Sequence, residues 1–117
     1  MDSILTSVKK LLGITEEYEQ YDTDIIFHIN TVFMILNQLG VGPAKPFSIT
    51  DKKSKWSDFI GNADNIEAVK SYMFLKVKSL FDPPQIGAVA EASNNLIKEF
   101  EWRLNVAVDP GEEKSNG

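Results

Sequence analysis

Apolar residues recur every three or four positions over four stretches of this chain, and each stretch stops at or just before glycine or proline. That is the pattern of short amphipathic helices packed against one another. Ile4, Leu5, Val8, Leu11 and Leu12 predict a first helix over about 3–12, closed by Gly13, where a C-terminal cap favours a left-handed residue. An acidic connector with Glu16, Glu17 and Glu19 follows. Asp22, Thr23 and Asp24 then supply capping oxygens and negative charge in front of Ile25. A long second helix is predicted over about 22–39, ending at Gly40.

Residues 40–54 hold Gly42, Pro43, Pro46 and several polar side chains, so they read as a long loop with a few extended residues around Phe47 and Ile49. Ser54 to Ile60 predicts one or two helical turns that present Trp56, Phe59 and Ile60 inward, closed by Gly61. Asp64 or Asn65 caps a third major helix reaching about Phe81, with Ile66, Val69, Met73, Val77 and Leu80 on one face. Pro83 and Pro84 bar its continuation. A fourth helix, about 86–107, sets Ile86, Val89, Leu96, Ile97, Phe100 and Leu104 along one stripe. The predicted fold is all-α: a small bundle of four to five helices in one domain, residues 1–108, with a long loop between the second and third major helices. Residues 109–117, rich in charge, Gly, Pro and Ser, read as a flexible C-terminal tail.

Three of these helices have two apolar sides. The main arc of the second holds Ile25, Ile26, Ile29, Val32, Phe33 and Leu36, whereas Phe27 and Met34 fall opposite it. Leu75 repeats the pattern on the third helix, and Trp102 and Val106 repeat it on the fourth, nearly opposite Phe100 and Leu104. Either a central helix is buried all round, as a small bundle permits for the second, or these side chains meet another molecule. Trp102, between Glu101 and Arg103 near the end of a terminal helix, has the composition of an interface anchor with a charged rim. Self-association or partner docking is the physical inference, with Phe27, Met34, Leu75, Trp102 and Val106 as candidate contacts.

Composition narrows the function classes. A chain of 117 residues with 43% apolar positions has room for one core. No apolar run approaches the roughly 18 residues of a membrane-spanning helix, and the first residues lack the pattern of a secretory signal. A soluble protein without a membrane partner is expected. Seventeen acids against twelve bases leave a net charge of −5, which argues against gripping nucleic acid by neutralising many phosphates. Lys45, Lys52, Lys53 and Lys55 form the densest basic cluster and sit in the long loop. Solvation accounts for them, and contact with phosphates or an acidic partner is the alternative.

Zero cysteines exclude disulfides, thiolate metal sites and cysteine nucleophiles. His28 is the only histidine, so no site can be built on several imidazoles. Placed at the edge of the apolar stripe, it is read as a structural or boundary residue. Asp22 and Asp24 lack the glycine turn and terminal glutamate of a calcium loop, and capping accounts for them. Glu99 and Glu101 lie about 200° apart around a helix, so they cannot form an acid and base pair unaided. Gly40-Val41-Gly42-Pro43 follows a helix and meets neither nucleotide-binding fingerprint. No cofactor, metal or catalytic residue is expected.

Taken in order, Val8-Lys-Lys-Leu-Leu-Gly-Ile14, the acidic connector, Asp22-x-Asp24-Ile-Ile-x-His-Ile29, a glycine-ended second helix and a helix-Pro-Pro-helix close resemble the tailed-phage head-tail connector family. These are small helical adaptors also known as DNA packaging proteins. Trp56-Ser-Asp-Phe59, Lys76-Val-Lys-Ser-Leu-Phe-Asp-Pro-Pro84 and Glu99-Phe-Glu-Trp-Arg-Leu-Asn105 look like versions from siphophages of Gram-positive hosts. The similarity spans about residues 3–107 and rests on packing and capping patterns.

The resemblance implies a non-enzymatic helical bundle that assembles with itself as a ring, typically a dodecamer, beneath the portal protein. Such a ring joins the portal to a head-completion or tail protein and helps retain packaged DNA, which passes through the lumen without sequence-specific binding. It implies a place in the neck of the virion after assembly in the host cytoplasm. In that setting Phe27, Met34 and Trp102 are candidate subunit or portal contacts, and the loop of Lys45, Lys52 and Lys53 a lumen or partner element. Two other readings compete. A small phage or plasmid regulator binding nucleic acid or a host protein would need a basic recognition helix, and none is evident. An enzyme using His28 with Asp24 would need a nucleophile or ligand set beside them.

Overall fold

The computed structural model describes residues 3–60 and 66–108. Among these lie five helices: α1 (Ile4–Leu11), α2 (Asp22–Gln38), α3 (Trp56–Ile60), α4 (Ile66–Phe81) and α5 (Gly87–Val108). The all-α bundle expected from periodicity is what forms. The expected tail at 109–117, the caps Asp64 and Asn65, Gly61 and the side chain of Ile60 lie outside the described residues.

Local chemistry sets the helix ends. The Ser3 hydroxyl accepts the Thr6 N–H at 3.2 Å to open α1. At the other end the Gly13 N–H donates to the Lys10 carbonyl and the Ile14 N–H to the Lys9 carbonyl, with Gly13 at φ +82°. This paired closure satisfies carbonyls that the helix itself leaves open. Gly40 and Val41 close α2 the same way, donating to the Asn37 and Leu36 carbonyls.

The start of α2 departs from expectation. Its N-cap is Tyr21, and no side chain caps it. Asp22 lies in the first turn, where negative charge suits the helix dipole, but its carboxylate is committed elsewhere. Lys9 is 2% exposed; its Nζ donates to the Glu16 carbonyl at 3.0 Å and lies 2.8 Å from Asp22 Oδ1. The approach to Asp22 lies outside hydrogen-bond geometry, so Oδ1 is held by charge alone. One buried ammonium thus joins α1, the connector and the start of α2.

The core lies where α2 meets α4. Ile25, Ile29, Val32, Phe33 and Leu36 of α2 and Val69, Tyr72, Met73 and Val77 of α4 are fully buried. Burial of each large apolar side chain stabilises the fold by about 1.5–3 kcal/mol. Ile4, Leu5 and Val8 of α1 close one side, and α5 packs on α4 through Ile97 and Leu104.

The long loop is tied down instead of free. Phe47 meets Phe33 and Phe59 at centroid distances of 5.0 and 5.4 Å. Ile49 forms no strand; the Asn30 carboxamide takes the place of one, donating to the Ile49 carbonyl at 2.9 Å and accepting its N–H at 2.8 Å. Gly42 has φ +94°, and a Cβ there would stand 2.5 Å from the Phe59 ring, so both backbone and space demand glycine. Trp56 and Phe59 point inward as expected, and Trp56 Nε1 donates to Ser7 Oγ at 2.9 Å.

Leu80, Ile86, Val89 and Leu96 lie on predicted apolar stripes yet are exposed, Ile86 at 66%. Periodicity identifies a face but not the length of the element that covers it. The described bundle covers α5 chiefly by α4, and the start of α5 is left open.

Candidate functional site

With a core this closed, what the chain offers to other molecules is its exterior. Phe27 is 67% and Met34 54% exposed. They share the outward ridge of α2, with Thr31 between them donating its hydroxyl to the Phe27 carbonyl at 3.0 Å. Trp102 is 67% exposed on α5, beside an ion pair of Arg103 and Glu99 at 2.8 Å. A flat aromatic body rimmed by opposite charges suits a contact that excludes water at its centre.

Leu75 and Val106 sit differently. Leu75 is half-buried, packs against the core and lines a groove with Leu11, Phe74 and Phe100. The second apolar side of α4 is therefore met largely within the chain, by α5. Val106 is half-buried near the end of α5. Asn105 beside it donates to the Leu39 carbonyl at 3.1 Å, tying α5 to the end of α2.

All four loop lysines, Lys45, Lys52, Lys53 and Lys55, are exposed. None forms an ion pair among the described residues. Asp51 accepts the Lys53 N–H at 2.8 Å, a local turn that sets Lys52 and Lys53 at its tip. Asn30, through Ile49, holds that turn against α2.

A further surface was not evident in the sequence. Tyr18 lies 5.6 Å from Tyr21, Tyr21 5.4 Å from Phe81, Phe81 6.4 Å from His28 and His28 5.7 Å from Phe27, ring centre to ring centre. Tyr21, Asp24, His28, Phe81 and Asp82 line an open groove between the start of α2 and the end of α4. Some 60 residues separate Tyr21 from Phe81 in the chain, so only the fold joins them. His28 is half-buried at the edge of this groove, the boundary position expected of it. Asp24 shares the groove, but no serine, threonine or lysine lines it among the described residues. Among those residues no group of three or more His, Cys, Asp or Glu side chains converges as a metal site. No described helix is long and apolar enough to cross a membrane.

Between α4 and α5, the buried Tyr72 hydroxyl donates to Glu101 Oε2 at 2.7 Å. Burial first, then the hydrogen bond and negative charge of Glu101, push the Tyr72 hydroxyl far above the ordinary tyrosine range. It stays protonated, a structural donor and not a base.

These features define a small all-α domain whose exterior carries isolated apolar anchors, a basic loop and an aromatic groove. The sequence profile described as phage connector protein matches residues 4–111. The chain belongs to that family, and membership makes it a virion component with a head-tail connector role. No curated protein and no solved structure matches it.

Proposed function

We propose that the chain is an adaptor in the neck of a tailed bacteriophage, of the kind carried by siphophages of Gram-positive hosts. Copies form a ring beneath the portal protein, join it to a head-completion or tail protein and help retain packaged double-stranded DNA. Assembly takes place in the host cytoplasm, and the chain acts by binding, with no catalytic step. DNA passes through the lumen without base-specific contact, in keeping with a net charge of −5.

The observation that carries this reading is the family profile over 4–111 on a fold that leaves Phe27, Met34 and Trp102 exposed. Ring closure needs two different patches on each subunit. The α2 ridge and the α5 anchor lie on separate helices and are candidates for them, with the lysine loop facing the lumen or a partner.

The test is to mix the purified protein with the portal of the same phage and determine mass and symmetry by native mass spectrometry and electron microscopy. A coaxial ring on the portal is the expected result. A folded monomer that ignores its own portal overturns the reading and favours a regulator of nucleic acid or a host protein.

A further inference from the structure

The lysine loop and the aromatic groove occupy opposite flanks of α2. Asn30 faces the loop through Ile49, and Glu19, Asp22, Thr23 and Ile26 share a surface depression with Thr50, Asp51 and Lys52. Asp24 and His28 turn the other way, toward Phe81 and Asp82 at the end of α4. The loop of one chain therefore cannot enter the groove of the same chain.

The two surfaces are complementary in charge and chemistry. Residues 45–58 carry four lysines against two aspartates, a net +2 within a chain of net −5. The groove presents Asp24 and Asp82 beside Tyr21, His28 and Phe81, whereas Glu16 and Glu19 of the connector line other depressions, Glu19 the one that holds Lys52. The chain's own cation there is Lys78, which reaches only 4.0 Å from Asp82 across exposed side chains, a weak pairing. Carboxylates beside aromatic rings suit an ammonium group, which gains from both. This chain already makes such a contact internally, with Lys70 Nζ 5.9 Å from the Trp56 ring centre.

We infer that the aromatic groove of one copy receives the Lys52-Lys53 turn of a second copy. A contact between opposite flanks of identical subunits is heterologous and propagates from copy to copy. The turn is presented in a fixed shape by Asp51, by Asn30 and by the packing of Phe47 on Phe33, which lowers the ordering cost of docking. The inference rests on the self-assembling reading, takes a neighbouring copy over the lumen as the place of the lysine loop, and adds loop and groove to the α2 ridge and the α5 anchor as subunit contacts.

Two charge-reversed chains test it: one with Lys52→Glu and Lys53→Glu, the other with Asp24→Lys and Asp82→Lys. Native mass spectrometry would be run on each chain, alone and on the portal, after circular dichroism has checked the fold. The unaltered chain is expected to multimerise, and each reversed chain to lose at least tenfold of its multimer. An equimolar mixture is expected to recover multimers with equal numbers of the two, because each reversed loop then finds a reversed groove.

Reversed chains that assemble like the unaltered one overturn the inference while leaving ring assembly standing. Loss in both without recovery on mixing also overturns it. An unaltered chain that stays monomeric alone and on its portal overturns the ring reading and the inference together. As a second measure, Lys53→Cys and Asp82→Cys are combined in one chain, which has no native cysteine. Oxidation is expected to give a ladder of covalent multimers; monomers alone from a folded, assembled chain count against the contact.

Discussion

The hydroxyl of Tyr72 on α4 donates to the carboxylate of Glu101 on α5 at 2.7 Å, joining two helices that the Pro83-Pro84 break separates. Because the folded state holds this hydroxyl protonated, its contribution is fully present below the unfolded tyrosine value, near pH 10. It is lost as pH rises above that, since only the unfolded chain then gains by releasing the proton. The expected slope from this one group is about 1.4 kcal/mol per pH unit. Urea unfolding at pH 8 to 11 checks it, with Tyr72→Phe as the control. The variant is expected to cost about 1 kcal/mol at neutral pH and to show a shallower alkaline decline.

Lys9 and Asp22 predict an asymmetric response. Asp22→Ala strands a buried ammonium, and a loss of about 2–4 kcal/mol is expected. Lys9→Met removes the buried ammonium and leaves Asp22 with Oδ1 buried but 25% of its side chain exposed, so the stranded charge is partly relieved by water. Its expected cost is about 1–2 kcal/mol. Denaturant midpoints of the two variants give the order, and equal losses would contradict the account.

The loop depends on Asn30 and Gly42. Asn30→Leu removes both bonds to Ile49 and is expected to cost about 2–3 kcal/mol, with faster proteolysis within residues 43–55. Gly42→Ala drives a methyl into the Phe59 ring and is expected to cost about 2–4 kcal/mol. Limited proteolysis alongside thermal unfolding separates loosening of the loop from loss of the whole fold.

Surface anchors predict the opposite combination. Phe27→Ala and Trp102→Ala are expected to change folding stability by less than about 1 kcal/mol, since both side chains are largely exposed. Each is expected to weaken assembly on the portal by about 2 kcal/mol or more, roughly thirtyfold in affinity. Binding measured by sedimentation, beside a thermal melt, checks both halves.

Helix positions, Gly13 and Gly40 as closures, and the inward turn of Trp56 and Phe59 were legible in the sequence. All follow from interactions within a few residues: spacing around a helix, a left-handed cap, a proline that cannot donate. The exposure of Phe27, Met34 and Trp102 was legible for the same reason, because a helical wheel needs no partner to show a side chain facing away from its core arc. Leu75 and the start of α5 were not resolved that way. Whether an apolar side chain is covered depends on where a different helix ends, and no local pattern encodes that. The Lys9–Asp22 pair, the Asn30–Ile49 bonds and the ring of Tyr21, His28 and Phe81 belong wholly to the tertiary structure. Each joins residues distant in the chain, and no local pattern marks their side chains as partners, so only the packing of α1, α2 and α4 decides that they meet.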